Sequence, residues 1–363
     1  MTYRIATINP GSTSTEVGLF SDQKCIARTS VDHNDTPGPV LDELPARWDV
    51  VHRFVSEHAP ESQQVDAVAA RGGLLPPLPA GTYRIDDELL ELSRSSPRGE
   101  HASNLGALLA RKLADHLEID ACFVVDPVSV DEMDDVARIS GLDGIERQSL
   151  CHALNIRAVA YRFARKHQIP FVKLRLIVAH LGTGVSIAVI RDGRLVDVIN
   201  PRDEGPMGLD RPGAVPNHAL LDLMEHPEMS RADIERQLLG NGGIYSYLGT
   251  RDLREVLKMR AQDEQADLLY RALIYDTARW IGAASTALCG YIDAIVLTGG
   301  MAHSEQFCQQ LCRRIDWIAP TACFPGSDES QALADGALRV LKGRQNARQI
   351  CEILDSSKLR KTP

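Results

Sequence analysis

Apolar and polar positions alternate early. Ile5-Ala6-Thr7-Ile8 and Val17-Gly18-Leu19-Phe20 flank the polar turn NPGSTST, and a third alternating run follows near residues 25–31. That pattern predicts three strands joined by tight turns. A helix is expected around residues 40–58, and a short apolar run at 65–70 ends in Arg71-Gly72-Gly73. The proline-rich stretch LLPPLPAGTY (74–83) reads as loop. Leu105, Leu108, Leu109, Leu113 and Leu117 recur at helical spacing, and residues 121–125 form a buried strand stopped by Asp126-Pro127.

The second half repeats the scheme. Strands are expected at 174–181, 185–190 and 195–199, with Asp192-Gly193 as a hairpin turn. Residues 201–217, rich in proline and glycine, form a long irregular loop. A long helix carries Leu269, Leu273, Trp280, Ile281, Ala284 and Leu288 on one face. A strand at 292–297 ends in Thr298-Gly299-Gly300, and a last helix spans about 329–341 before a polar tail expected to fray. VDAVAARGGL (65–74) matches IDAIVLTGGM (292–301) almost position by position. The chain therefore reads as two duplicated βββαβα units whose strand-end turns face a common cleft.

Length agrees with two domains, since 363 residues exceed one ordinary core. A net charge of −9 with no basic block argues against a nucleic-acid partner. MTYRIATI lacks an apolar run behind basic residues, and no stretch is long enough to span a membrane, so a cytoplasmic protein is expected. The eight cysteines are scattered without a CxxC. Cys308 and Cys312 share a helix face, but no second pair accompanies them, so reduced thiols are expected rather than a zinc site.

The chemistry lies in the turns. Glycine lets an anion approach backbone N–H groups, and NPGSTS at 9–14 adds amide and hydroxyl donors, whereas His180-Leu181-Gly182-Thr183-Gly184 adds an imidazole. Two such turns in mirrored positions suit a nucleotide's phosphates, and Gly299 and Gly300 at a third strand end suit its ribose or adenine. Phosphoryl transfer also requires positive charge and carboxylates for a metal. Arg71, Asp126, His152, Arg211 and Glu329 stand at strand ends, helix starts or in the long loop. Taken singly, each is as ordinary in a structural role. The chain has no GxxxxGK[ST] loop, no GxGxxG leading a helix and no HExxH.

At these residues the chain resembles the acetokinase family, within the actin, sugar-kinase and heat-shock-70 ATPase superfamily. Asn9-Pro10-Gly11-Ser12-Thr13-Ser14 matches its N-x-G-S-[ST]-S motif, and His180 to Gly184 matches H-x-G-x-G. RGGLLPPLPAGTY (71–83), HASNLGA (101–107), VDPVSVDEM (125–133), EGPMGLDRPGAVP (204–216) and LTGGMAHS (297–304) are most similar to the butyrate kinases. The resemblance implies an α/β fold of two duplicated actin-like (ribonuclease H-like) βββαβαβα domains facing a central nucleotide cleft. The expected division is residues 1–155 with 335–363, and residues 156–334. It implies reversible, in-line transfer from ATP to a short-chain carboxylate, butyrate + ATP = butyryl phosphate + ADP. Acetate, propionate or a branched acid, and a non-catalytic nucleotide-binding relative, are the alternatives. The implied cofactors are ATP/ADP and Mg²⁺, and the implied assembly is a homodimer or larger homo-oligomer, with only small-molecule substrates as other partners.

By the same resemblance, Arg71 and Arg211 hold the carboxylate and the transferring phosphoryl group, and His152 stabilises that group. Asn9, Gly11, Ser12, Ser14, His180, Gly182, Gly184, Gly299 and Gly300 bind nucleotide and phosphate. Asp126 positions magnesium or substrate, and Glu329 is the second metal-associated carboxylate. Two departures stand out. Glu16 replaces a lysine more usual in the family, which implies weaker phosphate affinity or an altered role rather than loss of activity. Cys151 replaces an aromatic residue, and with Gly72, Gly73 and Ala102 it is expected to leave room for an acyl chain longer than acetyl.

Overall fold

The computed structural model describes residues 1–33, 38–59 and 64–353. The chain divides into two compact units, one comprising Met1–Val130, Ala153–Asn155 and Asp328–Pro363, the other Asp131–His152 and Ile156–Ser327.

The first unit is built on a six-stranded sheet: β1 (Arg4–Pro10), β2 (Ser14–Ser21), β3 (Lys24–Asp32), β4 (Ala67–Arg71), β5 (Thr82–Arg84) and β6 (Cys122–Val125), in the order β3-β2-β1-β4-β6-β5. β1, β2 and β3 form an antiparallel meander, whereas β4 runs parallel to β1, and β6 parallel to β4. Short turns make the first pattern, and helical crossovers make the second. β1 and β4 are buried through most of their length, and β3, at the edge, alternates polar and half-exposed positions. Helices Leu44–His58, Leu105–His116 and Glu329–Leu341 belong to this unit. The last starts at the residue expected from its pattern.

The second unit carries β7 (Leu176–Leu181), β8 (Val185–Arg191), β9 (Arg194–Ile199), β10 (Ala294–Gly299) and β11 (Thr321–Pro325), in the order β11-β10-β7-β8-β9. β7 and β8 are buried on both faces apart from the terminal Arg191, and apolar apart from His180, Ser186 and Arg191. Their core continues into the long helix Glu264–Ser285 through Leu269, Leu273 and Ile281. Asp192 and Gly193 both take left-handed φ, 54° and 76°, as a tight hairpin requires.

The duplication is visible in the strand register. Ala67 of β4 lies opposite Ile5 of β1, and Ala294 of β10 lies opposite Leu176 of β7. Counting four residues on from Ile5 and from Leu176 places Asn9 and His180 at equivalent strand ends.

Three expectations change. Part of the 74–83 loop is strand, because Thr82–Arg84 pairs antiparallel with β6. β11 was not foreseen; its short, half-exposed edge sequence carries little alternation. The tail does not fray directly after Leu341: the Arg348 N–H bonds Thr82 O, Arg348 O accepts from Arg84 N–H, and Ile350 is buried. Residues 354–363 of that tail lie outside the described residues. Among the described residues, no helix is long and apolar enough to cross a membrane.

Candidate active site

In the first unit, Asn9 ends β1 beside the end of β4. Its Nδ2 donates to Glu329 Oε2 at 2.9 Å and to Glu16 Oε2 at 3.4 Å. Arg71 Nη1 donates to the same Glu329 oxygen at 3.0 Å. Arg28 approaches Glu16 at 3.5 Å and Asp328 at 3.0 Å. Asn9, Arg71 and Glu329, far apart in sequence, are thus one bonded group. Glu16 joins it because it is the strand partner of Asn9. Among the described residues, Asn9 Oδ1 is buried without a hydrogen-bond partner. An orphaned amide oxygen next to a carboxylate suits a hard cation, and Mg²⁺ takes one or two protein carboxylates with waters filling the rest. These residues therefore fit the metal that the resemblance implies.

Asp126 has a different setting. It is buried, follows Val125, the strand partner of Arg71, and takes a left-handed φ of 37°. Its Oδ1 accepts from the Gly81 N–H at 2.7 Å, and its own N–H donates to Gly81 O at 2.9 Å. Among the described residues, no group of three or more His, Cys, Asp or Glu side chains is gathered for a metal ion.

The turn after β1 closes on itself, with the Gly11 N–H donating to Ser14 O at 2.8 Å. Ser12 Oγ lies 3.3 Å from His101 Nε2, and His101 Nδ1 accepts from the Ser103 N–H at 3.1 Å, capping the short turn Ala102–Asn104. An imidazole that accepts at Nδ1 is neutral with its proton on Nε2. Burial, then the nearby Arg71 and Arg47 charges, lower the pKa of His101 from 6.5 to about 4. Arg47 is fully buried and donates to Ser14 O and Thr15 Oγ1 at 3.0 and 2.8 Å, and it is paired with Glu43. Sequence reasoning gave neither His101 nor Arg47 a role in this turn. The HASNLGA stretch was the available signal for His101; a lone arginine inside a helix gave none for Arg47.

In the second unit, His180 ends β7 and is buried. Its ring stacks on His152, with centroids 3.8 Å apart and planes 9° from parallel. His152 is the N-cap residue of helix Ala153–His167, and its Nδ1 lies 3.0 Å from Ser186 Oγ, the strand partner of His180. The following turn holds the long loop: Leu209 and Asp210 N–H groups donate to Thr183 O at 2.6 and 3.2 Å. This brings Arg211 over the turn. A Cβ on Gly184 would fall 3.2 Å from Arg211 Cγ, so the missing side chain is what gives the arginine room. Arg211 pairs with Asp210 at 3.2 Å and keeps 28% of its side chain exposed. The Gly182 N–H, like that of Gly11, is used within its turn, donating to Gly184 O.

Gly299 has φ +90°, and a Cβ there would meet Leu181 backbone atoms at 2.6–2.7 Å, so only glycine fits. The turn Gly300–His303 follows. A cavity of about 810 Å³ opens here, lined by Gly182 and Thr183, by Gly300, Met301, His303 and Ser304, and by the segment from Thr250 to Arg254. That volume suits a nucleoside-sized ligand. Residues 250–254 and 301–304 were not singled out as a binding wall by sequence reasoning.

The small residues expected to leave acyl room behave differently from one another. A Cβ on Gly72 would fall 2.5 Å from Pro127 Cβ and Val124 Cγ1, and one on Gly73 would overlap Asn104. Protein atoms already fill the space beside both glycines. Ala102 and Cys151 are each buried, at 5% exposure.

Residues 144–318 match the model of the acetokinase family. A probable butyrate kinase 2 from Caldanaerobacter subterraneus subsp. tengcongensis is 40% identical over 348 residues, covering 94% of this chain and 98% of that protein. The crystal structure of Porphyromonas gingivalis acetate kinase superposes with a TM-score of 0.76 at 20% identity, covering 93% of this chain and all of that one. A propionate kinase from Francisella tularensis superposes with a TM-score of 0.75 at 16% identity, covering 92% and 98%.

Proposed function

Because the chain belongs to the acetokinase family, we propose that it transfers the γ-phosphoryl group of ATP reversibly to a short-chain carboxylate, with butyrate the preferred acid. The observation that carries this reading is the 40% identity to a probable butyrate kinase over nearly the whole of both chains. The gathering of His152, His180 and Arg211 at one glycine turn supports it.

The acceptor carboxylate is ionised near neutral pH, so it attacks phosphorus without a general base. The chain's task is to overcome repulsion between two anions. Arg211 and His152 place a cation and an imidazole donor by the glycine turn, where charge develops on the transferring group. His180 fixes the His152 ring by stacking, and Ser186 fixes its edge. Asn9, Ser12 and Ser14 offer polar atoms to phosphate, Gly182, Gly184 and Gly300 let the nucleotide approach the backbone, and Gly299, packed against Leu181, shapes the turn that carries Gly300. Arg71 bonds Glu329 at 3.0 Å and can exchange that partner for the acid. Asp126 orders the loop at Gly81, a positioning role. Asn9 Oδ1 and Glu329 would hold Mg²⁺, which when bound offsets charge on the phosphates. Glu16 does not leave an unbalanced charge, since Arg28 stands beside it.

The test is acyl hydroxamate formation from ATP, hydroxylamine and acetate, propionate, butyrate or isobutyrate, with and without Mg²⁺. Mg²⁺-dependent product greatest with butyrate is expected. A maximum at acetate or propionate would retain the reaction and reject the chain-length assignment. ATP binding without product from any acid would reject the kinase reading in favour of a non-catalytic nucleotide binder.

A further inference from the structure

Cys308 and Cys323 lie outside the reaction just described. Cys308 is buried on helix Glu305–Ile315, and Cys323 is exposed on the edge strand β11. Their sulfurs are 3.7 Å apart. Both thiols also point at one acceptor, Ala302 O, at 3.4 Å from Cys308 Sγ and 3.7 Å from Cys323 Sγ. Ala302 is buried in the turn Gly300–His303, whose neighbours Gly300, Met301 and His303 line the cavity. β11 is tied to the same place, because Gly326 and Gly299 exchange two backbone hydrogen bonds at 2.9 and 3.1 Å.

We propose that Cys323 and Cys308 form a thiol pair that a low-molecular-weight disulfide oxidises, and that the resulting bond weakens nucleotide binding by displacing the Gly299–His303 turn. The nucleotide part rests on the kinase reading; the thiol pair does not.

The exchange balances. Cys323, as thiolate, attacks one sulfur of the small disulfide; that S–S bond breaks, and the departing thiolate takes up the proton Cys323 released. Cys308 then attacks Cys323 Sγ, expels the second small thiol and supplies its proton. Two protein thiols are oxidised to one disulfide, and one small disulfide is reduced to two thiols. The geometry assigns the order of attack. Cys323 is the accessible sulfur, and the hydrogen bond from Cys308 lowers its pKa, whereas the same bond and burial raise that of Cys308. The sulfurs must close from 3.7 Å to about 2.05 Å, which draws β11 toward the helix. A disulfide carries no S–H, so Ala302 O loses its thiol donor.

The full-length protein would be incubated with oxidised glutathione, then analysed by intact mass and peptide mapping, with ADP affinity measured calorimetrically before and after. Loss of two hydrogens, a Cys308–Cys323 linked peptide, and ADP binding weaker by roughly tenfold, the scale of one lost buried hydrogen bond, are expected. Dithiothreitol should restore binding, Cys323→Ser should be insensitive, and Cys312→Ser should respond like the native chain. A link to Cys312, a glutathione adduct on Cys323 that never resolves, or a formed disulfide with unchanged ADP affinity would overturn the proposal. Failure of the reduced protein to bind ADP would instead sink the kinase reading, while the mapped linkage would still judge the thiol pair.

Discussion

Lowering the pH should loosen the first unit through the His101 imidazole. His101 accepts the Ser103 N–H at Nδ1 and lies in the field of Arg71 and Arg47. Protonation removes its only acceptor nitrogen and adds a third positive charge to a buried site. Burial, followed by those arginines, places its folded pKa at about 4, against 6.5 when unfolded. Between these values the unfolded chain binds the proton and the folded chain does not, so stability falls as pH falls. The contribution is intact above pH 6.5 and is fully lost below about pH 4. Each tenfold rise in proton activity inside that window costs about 1.4 kcal/mol, which gives a loss of about 2 kcal/mol by pH 5 and about 3 kcal/mol at completion. His101→Asn keeps a capping acceptor but does not titrate. Urea unfolding followed by Trp48 fluorescence, with Trp280 and Trp317 replaced by Phe, would be compared for both proteins at about pH 7 and about pH 5. The native chain should lose about 2 kcal/mol more than the variant over that interval. Equal losses, or a His101 resonance that titrates near 6.5, would refute the account of burial and cationic neighbours.

Two further substitutions address the site. Arg211→Ala should lower turnover by roughly 10²–10³-fold, the cost of one lost anion-stabilising donor, with a melting temperature close to native because the side chain is partly exposed and its ion pair is with the adjacent Asp210; a large loss of stability with turnover preserved would make it structural. Glu16→Lys should tighten ADP binding, more so at low salt, at a cost below about 1 kcal/mol from losing the exposed contact with Arg28; salt-independent affinity equal to native would place residue 16 off the phosphate path.

The features readable from sequence are those that local chemistry dictates. Asp192-Gly193 specified a hairpin because few other pairs accept two left-handed residues, and the last helix began at Glu329 as its apolar spacing required. The repeated strand-and-glycine segments 65–74 and 292–301 exposed a duplication that the register of β4 and β10 reproduces. What was hidden depends on partners distant in sequence. No local pattern says that Glu329 meets Asn9, 320 positions earlier, or that a histidine beside Ala102 is kept neutral by burial and by two nearby arginines. Gly72 and Gly73 show the same limit from the opposite direction. Their smallness read as open volume, yet their space belongs to Pro127, Val124 and Asn104.

The two equivalent strand ends explain why a duplicated fold carries different residues at matching positions. Asn9 faces Glu16 across its hairpin, and His180 faces Ser186. In the first unit the end of the strand therefore offers oxygen: an orphaned amide carbonyl, the Glu329 carboxylate and Glu16, balanced by Arg71 and Arg28. In the second it offers nitrogen: two stacked imidazoles and the Arg211 guanidinium beside a bare glycine turn. Oxygen donors attract a hard cation, whereas N–H donors attract phosphate oxygens. Had both copies kept the same residues, the chain would present only one of these two chemistries. Glu16 adds to the oxygen character of its own unit, and Arg28, reaching from the neighbouring strand, offsets its charge at 3.5 Å.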